Sequence, residues 1–352
     1  MNKIAIIGSN GLNASYGGFD QLVDNIVAHA NEEDLIYITQ PRSTSIPTRV
    51  PKNVILSKSI FDAPGIEGVL FDAICVLKYY FKSDTILFLG AGAFPIALFF
   101  SLIKKKKIIV NNGGLEWERE KFSKLAKVYL KFLFNLSANY SDVLILDNKT
   151  FITYLPKTYK AKLSTVSYGG DISHKLINEK DFYIKKYPFL NLEYYLSVSR
   201  AIKDNNIDKI CQTFSLSAKK LVLISNFSSS KYGKDVIAKY ADYENIYLID
   251  GLYNKDELDL IRLNCLAYIH THEKCGTAPS LVEMVIAEKP IIAIDVQANR
   301  NTLMGQCLYF NNFTELEEII NKNIIYSDYV PNTSLTKKYL WKNIAREYLD
   351  LF

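Results

Sequence analysis

The sequence predicts an α/β protein built from two doubly wound, mostly parallel sheets. Three observations carry this. The 352 residues are 49% hydrophobic with a mean hydropathy of zero, enough apolar material for a large core and too long a chain for one ordinary domain. Short apolar runs alternate with helix-period segments, and the series occurs twice, before and after a charged, aromatic stretch at residues 177–192. Glycine-containing turns follow several strands directly, at the carboxyl ends where such sheets bind ligands.

In order along the chain, strands are expected near 3–8, 35–39, 53–57, 85–90, 107–112 and 143–147. Helices are expected near 18–30, 64–81, 93–103, 119–136 and 148–156. A second strand series falls near 194–200, 221–226, 245–250, 266–271, 290–295 and 307–310. The domains are therefore placed at 1–185 and 186–333, with an amphipathic helix at 334–352 packing back on the first. Residues 1–8 (MNKIAIIG) read as a core strand without the zones of a secretory signal, so export by that route is not expected.

Five cysteines, Cys75, Cys211, Cys265, Cys275 and Cys307, are odd in number and contain no CxxC pair, against a disulfide framework or a structural zinc site and in favour of a reducing compartment. Net charge is +5, unevenly placed. An apolar run from Phe94 to Ile103 ends in Lys104-Lys-Lys-Lys107, and residues 121–134 mix lysines with Phe, Leu and Tyr. Neither reaches the roughly 20 residues of a membrane span. A basic aromatic helix on an anionic leaflet and a core helix with a lysine rim both fit. No nucleic-acid-binding motif is present.

The chemistry-bearing segments follow strands. Gly8-Ser-Asn-Gly11-Leu-Asn-Ala-Ser-Tyr16-Gly17-Gly18-Phe19-Asp20 is a long turn opening a helix. A classical dinucleotide site would want an acidic residue after the second strand, which instead runs into Gln40-Pro41-Arg42. In Tyr268-Ile-His-Thr-His272-Glu-Lys-Cys275-Gly276-Thr277-Ala278-Pro279-Ser280-Leu-Val-Glu283, a buried strand enters a polar turn and a helix. Pro279 suits the first helical position, Thr277 is the expected cap, and the amides beyond it would meet phosphate oxygens. Glu283, one turn in, would face the ligand. His270 and His272 share a strand face, but no third ligand stands at convincing spacing, so no metal is expected; His270 reads as a cleft residue or a satisfied core histidine, and Cys275 as a packed thiol.

With Gly114-Leu-Glu-Trp-Glu-Arg119 and Ser167-Tyr-Gly-Gly-Asp171, these motifs resemble, in order and over nearly the whole chain, the bacterial capsule and cell-wall rhamnosyltransferase branch of family 4 glycosyltransferases. The resemblance implies the GT-B fold, two Rossmann-like domains facing across a cleft, and a retaining, metal-independent transfer from a nucleotide sugar without cofactor. It implies dTDP-rhamnose or a UDP-hexose as donor, and a lipid-diphosphate-linked saccharide as acceptor in capsule, cell-wall or O-antigen synthesis. The enzyme would act from the cytoplasm at the inner face of the cell membrane. Glu283 would hold the donor ribose; Gly276, Thr277, Ala278, Pro279 and Ser280 would form the diphosphate loop; Arg200 and Lys203 would neutralise the diphosphate. Gly17 and Gly18 would approach the leaving group, and His270 would touch donor or acceptor. Tyr16, Asp20, Glu116, Trp117 and Arg119 would receive the acceptor, with Asp20, Glu283 and Arg200 nearest the chemistry.

The chain departs from the pattern in four places. Asn205 replaces a common lysine, Cys275 a glutamate, Ala278 an asparagine, and Asn301 a glutamate. A sugar-nucleotide epimerase or hydrolase of the same fold, or a binding protein without catalysis, are the alternative readings.

Overall fold

The first sheet holds seven parallel strands, β1 (Lys3–Ile7), β2 (Leu35–Gln40), β3 (Val54–Lys58), β4 (Thr85–Leu89), β5 (Lys107–Asn111), β6 (Val143–Leu146) and β7 (Lys162–Thr165), in the order β3-β2-β1-β4-β5-β6-β7. They belong to a computed structural model that describes all residues except 15–16, 64–66, 119–122 and 323. Ile4 to Ile7 and Ile36 to Ile38 are buried without alternation, because helices cover both faces of a parallel sheet. Ile4 pairs with Ile36 on one side and Thr85 on the other, so the winding direction changes between β1 and β4.

The second sheet holds β8 (Tyr195–Val198), β9 (Leu221–Ser225), β10 (Ile246–Asp250), β11 (Ala267–His270), β12 (Ile291–Ile294) and β13 (Leu308–Phe310), all parallel, in the order β10-β9-β8-β11-β12-β13. Its direction changes between β8 and β11. Two buried apolar clusters, one around Tyr194, Tyr268 and Met284 and one around Tyr195, Phe214 and Phe227, lie against it.

The chain divides into residues Met1–Gly169 with Trp341–Phe352, and residues Gly170–Leu340. The division falls before the expected boundary at 185/186, because Leu176, Tyr187, Phe189 and Leu190 are buried in the core of the second unit. That stretch carries only short 3-10 and helical turns, Ile177–Glu179, Lys180–Tyr183 and Pro188–Asn191, which leave no periodic pattern to read. The single helix expected at 334–352 is two: Thr333–Tyr339 in the second unit and Trp341–Leu349 in the first. The helix expected at 148–156 is a 3-10 stretch, Lys149–Tyr154. β7 was not expected, since Lys-Leu-Ser-Thr at a sheet edge writes no apolar run.

The Trp341–Leu349 helix lies on the Gly18–His29 helix, and Trp341, Ile344 and Tyr348 join Leu22, Val23 and Ile26 in one buried cluster. The Asn111 amide donates to the Tyr348 hydroxyl. On the other face of the sheet, burial lifts the Asp72 carboxyl from 3.8 to about 7 beside the turn after β4, where its Oδ2 lies 3.4 Å from the place a Cβ on Gly92 would take.

Replacing Trp341 by alanine is expected to cost the first unit about 3–5 kcal/mol, read as faster amide exchange in the Gly18–His29 helix with protection of the second unit retained. Asp72→Asn is expected to stabilise by up to about 4 kcal/mol at pH 8. The folded chain keeps a proton that the unfolded chain releases above 3.8, so Asp72 erodes stability as pH rises towards about 7. The gain should therefore fade as pH approaches 4; a melting-temperature gain of equal size at both pH values would refute this account.

Candidate functional site

In the second unit, the turns after β8 and β11 are laced together at the point where the winding reverses, the usual ligand position in such sheets. The buried Asn205 amide donates to the Arg200 carbonyl at 2.9 Å, and the Thr271 hydroxyl donates to the Asn205 carbonyl at 2.5 Å. The Asn206 amide donates to the Thr271 carbonyl at 3.0 Å and to Glu273 at 2.9 Å. Asn205 thus shapes the Arg200 turn from beneath, which accounts for an amide where a diphosphate-binding lysine was expected. Arg200 and Lys203 stand exposed on this turn.

The helix Pro279–Ile286 starts a few residues beyond β11, with Pro279 in its first turn. Its cap is Ala278, not the expected Thr277; Ala278 is extended and brings no side-chain oxygen. Leu281 and Val282 turn back to the Ala278 carbonyl at 3.0 and 3.1 Å. A helix start without a side-chain acceptor keeps its positive end available to an anion. Gly276 and Thr277 lie buried before it, and Ser280 is half-buried.

Glu283 is held by a buried chain of charges. Arg262 Nη2 donates to Glu283 Oε2, and Arg262 Nη1 donates to Asp259 Oδ1 at 2.8 Å. Asp259 Oδ2 accepts from Lys255 Nζ at 2.6 Å and from the Ser173 amide at 2.9 Å. The side chains of Arg262 and Asp259 are 3% and 0% exposed, that of Glu283 16%. Sequence reasoning missed Arg262 and Asp259, because an acid and an arginine three apart on a helix read as a surface pair. Gly170 passes against the same helix; a Cβ there would lie 2.9 Å from Ile286 and 3.4 Å from Glu283.

His270 ends β11, fully buried, with its Nδ1 3.5 Å from the Tyr268 hydroxyl. The His272 ring lies 4.2 Å from it, centroid to centroid. Burial holds the His270 imidazole well below its ordinary value, and burial together with the Arg200 charge takes His272 down to about 3. Both are neutral at pH 7. The Nε2 atoms of both, with Ser199 Oγ after β8 and Asn299 Oδ1 in the Gln297–Leu303 helix, are buried without a hydrogen-bond partner. The structure also corrects the expectation of no third ligand: a ring nitrogen of each histidine and the Cys275 sulfur all lie within 4.8 Å of one another.

In the first unit, the turn after β1 is organised from inside. Asp20 is 1% exposed; its oxygens accept from the Asn10 amide and side chain at 2.9–3.3 Å and from the Gly17 amide at 3.1 Å. The expected reach to an acceptor hydroxyl gives way to this positioning role. The buried Gln40 clasps the same turn, accepting from the Leu12 amide and donating to the Leu12 carbonyl, each at 2.9 Å. This is the position that lacks the acid of a dinucleotide site. Gly18 makes room for Tyr168, whose ring would lie 2.5 Å from an added Cβ, whereas Gly17 is exposed with open space before it. Trp117 is buried against Phe134, with ring centroids 4.6 Å apart, so it is a core residue and not a stacking platform. Glu116 stays half-buried beside it, while Tyr16 and Arg119 lie outside the described residues.

One surface of the first unit is apolar and basic. On the Lys124–Tyr140 helix, Leu125, Val128, Tyr129 and Phe132 are exposed at helical spacing, and Phe99, Leu102 and Ile103 are exposed at the end of the adjoining Phe94–Ser101 helix and just beyond it. Lys104, Lys105, Lys107, Lys124 and Lys131 rim them; Lys106 turns inward to the Ser83 carbonyl. The opposite face of the Lys124–Tyr140 helix packs in the core through Leu133, Phe134 and Ala138, so it is a core helix that also carries an exposed apolar stripe. Among the described residues no helix is long and apolar enough to cross a membrane.

A family model described as a domain of unknown function, DUF1972, matches residues 74–171. No curated protein matches the sequence. Among solved structures, the chain is similar to a sucrose-phosphate synthase from Thermosynechococcus elongatus at 11% identity and a TM-score of 0.77, covering 100% of this chain and 98% of that one. HepE from Anabaena, in complex with UDP and glucose, is similar at 12% identity and a TM-score of 0.73, covering 99% of each chain. An α,α-trehalose-phosphate synthase (UDP-forming) from Burkholderia vietnamiensis is similar at 12% identity and a TM-score of 0.68, covering 99% of this chain and 94% of that one. The two parallel-sheet α/β units of this chain thus make up the GT-B fold.

Proposed function

We propose that this protein is a retaining, metal-independent glycosyltransferase that moves a sugar, rhamnose first among the choices, from a nucleotide-diphosphate sugar to a lipid-diphosphate-linked saccharide in surface polysaccharide synthesis. The observation that carries the reading is the start of the Pro279–Ile286 helix, which has no side-chain cap and carries Glu283 fixed by Arg262 one turn in. A carboxylate held on one oxygen suits a pair of ribose hydroxyls. The helix start, with the Arg200 and Lys203 cations, suits the charge that builds on a departing diphosphate. The UDP and UDP-glucose complexes of HepE support a nucleotide sugar as donor, and the motif resemblance supports rhamnose. Asp20 being engaged in its own turn, the leaving phosphate is the group that takes the acceptor proton.

The purified chain should be stabilised by one of dTDP-rhamnose, UDP-glucose, UDP-galactose, UDP-N-acetylglucosamine and GDP-mannose, and should consume it only with a lipid-diphosphate saccharide present. Glu283→Ala should weaken that donor by at least about tenfold, roughly 1.4 kcal/mol. Consumption without acceptor would favour an epimerase or hydrolase; a thermal-shift screen in which no nucleotide moves the melting temperature would overturn the proposal.

The exposed stripe on Lys124–Tyr140 with its lysine rim is the surface we assign to the inner leaflet, where apolar side chains insert and lysines meet anionic headgroups. The full chain should float with phosphatidylglycerol vesicles and not with purely zwitterionic ones. Replacing Leu125, Val128 and Phe132 by serine should release it. Equal recovery on both vesicle types, or on neither, would remove the membrane from this account.

A further inference from the structure

We infer that His270, His272 and Cys275 form a three-ligand site for a borderline-soft divalent metal of the Zn2+ class, with its fourth position open. The inference goes beyond the glycosyltransferase reading and does not depend on it. Tetrahedral zinc with nitrogen ligands at about 2.0–2.1 Å and sulfur at about 2.3 Å sets its donors about 3.3–3.6 Å apart. The three donors here already lie within 4.8 Å of one another, so side-chain adjustments of about an ångström, within the reach of rotamer relaxation, close the set.

Second, the two imidazoles have unspent capacity. Nε2 of each is buried without a hydrogen-bond partner, and an orphaned buried polar atom calls for a ligand that the protein itself does not provide. The Tyr268 hydroxyl near His270 Nδ1 is placed as the outer partner that orients a metal-bound imidazole through its second nitrogen.

Third, the donor set selects the metal. Two imidazoles and a thiol discriminate against Mg2+ and Ca2+, which prefer oxygen, and suit Zn2+ or Co2+. On binding, the Cys275 thiol releases one proton to solvent and its sulfur bonds the metal. The thiolate then offsets part of the repulsion that the neighbouring Arg200 charge exerts on a dication. The other four cysteines are buried, and the remaining histidines, His29 and His174, are exposed.

The test is titration of the metal-stripped full chain with Co2+, read by absorbance, and with Zn2+ against a chromophoric chelator. One equivalent should bind, with a thiolate-to-cobalt charge-transfer band and intensified visible bands of a four-coordinate site. Cys275→Ser should abolish the charge-transfer band, and His270→Gln with His272→Gln should weaken Zn2+ by at least about tenfold. His29→Gln with His174→Gln should change neither. Absence of the band in the unaltered protein, or equal Zn2+ binding by folded Cys275→Ser and double-histidine variants, would overturn the inference and leave the orphaned nitrogens to a sugar or nucleotide ligand. Donor binding, measured separately through Glu283→Ala, is untouched by that result.

Discussion

The second unit depends on the buried pairing of Arg262 with Asp259. Both side chains are closed to solvent, and a charge in such surroundings persists only when it is opposed and hydrogen-bonded. Lys255 and the Ser173 amide complete the partners of Asp259, and the spare arm of Arg262 reaches Glu283. A helix formed by residues Lys255–Asn264 thereby sets the carboxylate of another helix. Glu283 is fixed at one oxygen and still 16% open, the state a hydroxyl-binding acid needs.

The same division between support and contact runs through the neighbouring turns. Asn205 and Asn206 spend their amides on backbone carbonyls and on Glu273, which holds the Arg200 turn against the β11 turn while leaving Arg200 exposed. The Pro279–Ile286 helix is left without a capping side chain at the end where its dipole is positive. In an ordinary helix a serine or aspartate there would add about 1 kcal/mol. Its absence gives up that increment and keeps the amides for another partner.

The first unit organises its β1 turn by equally internal means. Asp20 and Gln40 each close hydrogen bonds within the turn, and both are buried. Their chemistry is spent on shape. Gly18, pressed against Tyr168, brings the turn close to the 167–171 motif, and the Trp341–Leu349 helix packs behind it. The conspicuous side chains of the motif thus act through geometry, and the lysine-rimmed stripe is one part of this unit that faces outward with apolar groups.

The alternation of apolar runs and helical segments determined both sheets from sequence, because strands covered on both faces write continuous Ile, Val and Leu. It determined the glycine turns and the helix start at Pro279 for the same local reason. The edge strand β7, the unit boundary and the broken terminal helix were not legible, since half-exposed strands and 3-10 turns leave no period. Only the tertiary structure decided which polar residues are spent internally. Asp20 and Asn10, Gln40 and Leu12, and Arg262 and Glu283 are separated by 10, 28 and 21 residues, and a carboxylate carries the same letter whether it faces a ligand or a backbone amide. Cys275 shows the reverse: spacing argued against a shared site with His270 and His272, and the turn after β11 brings the three donors together.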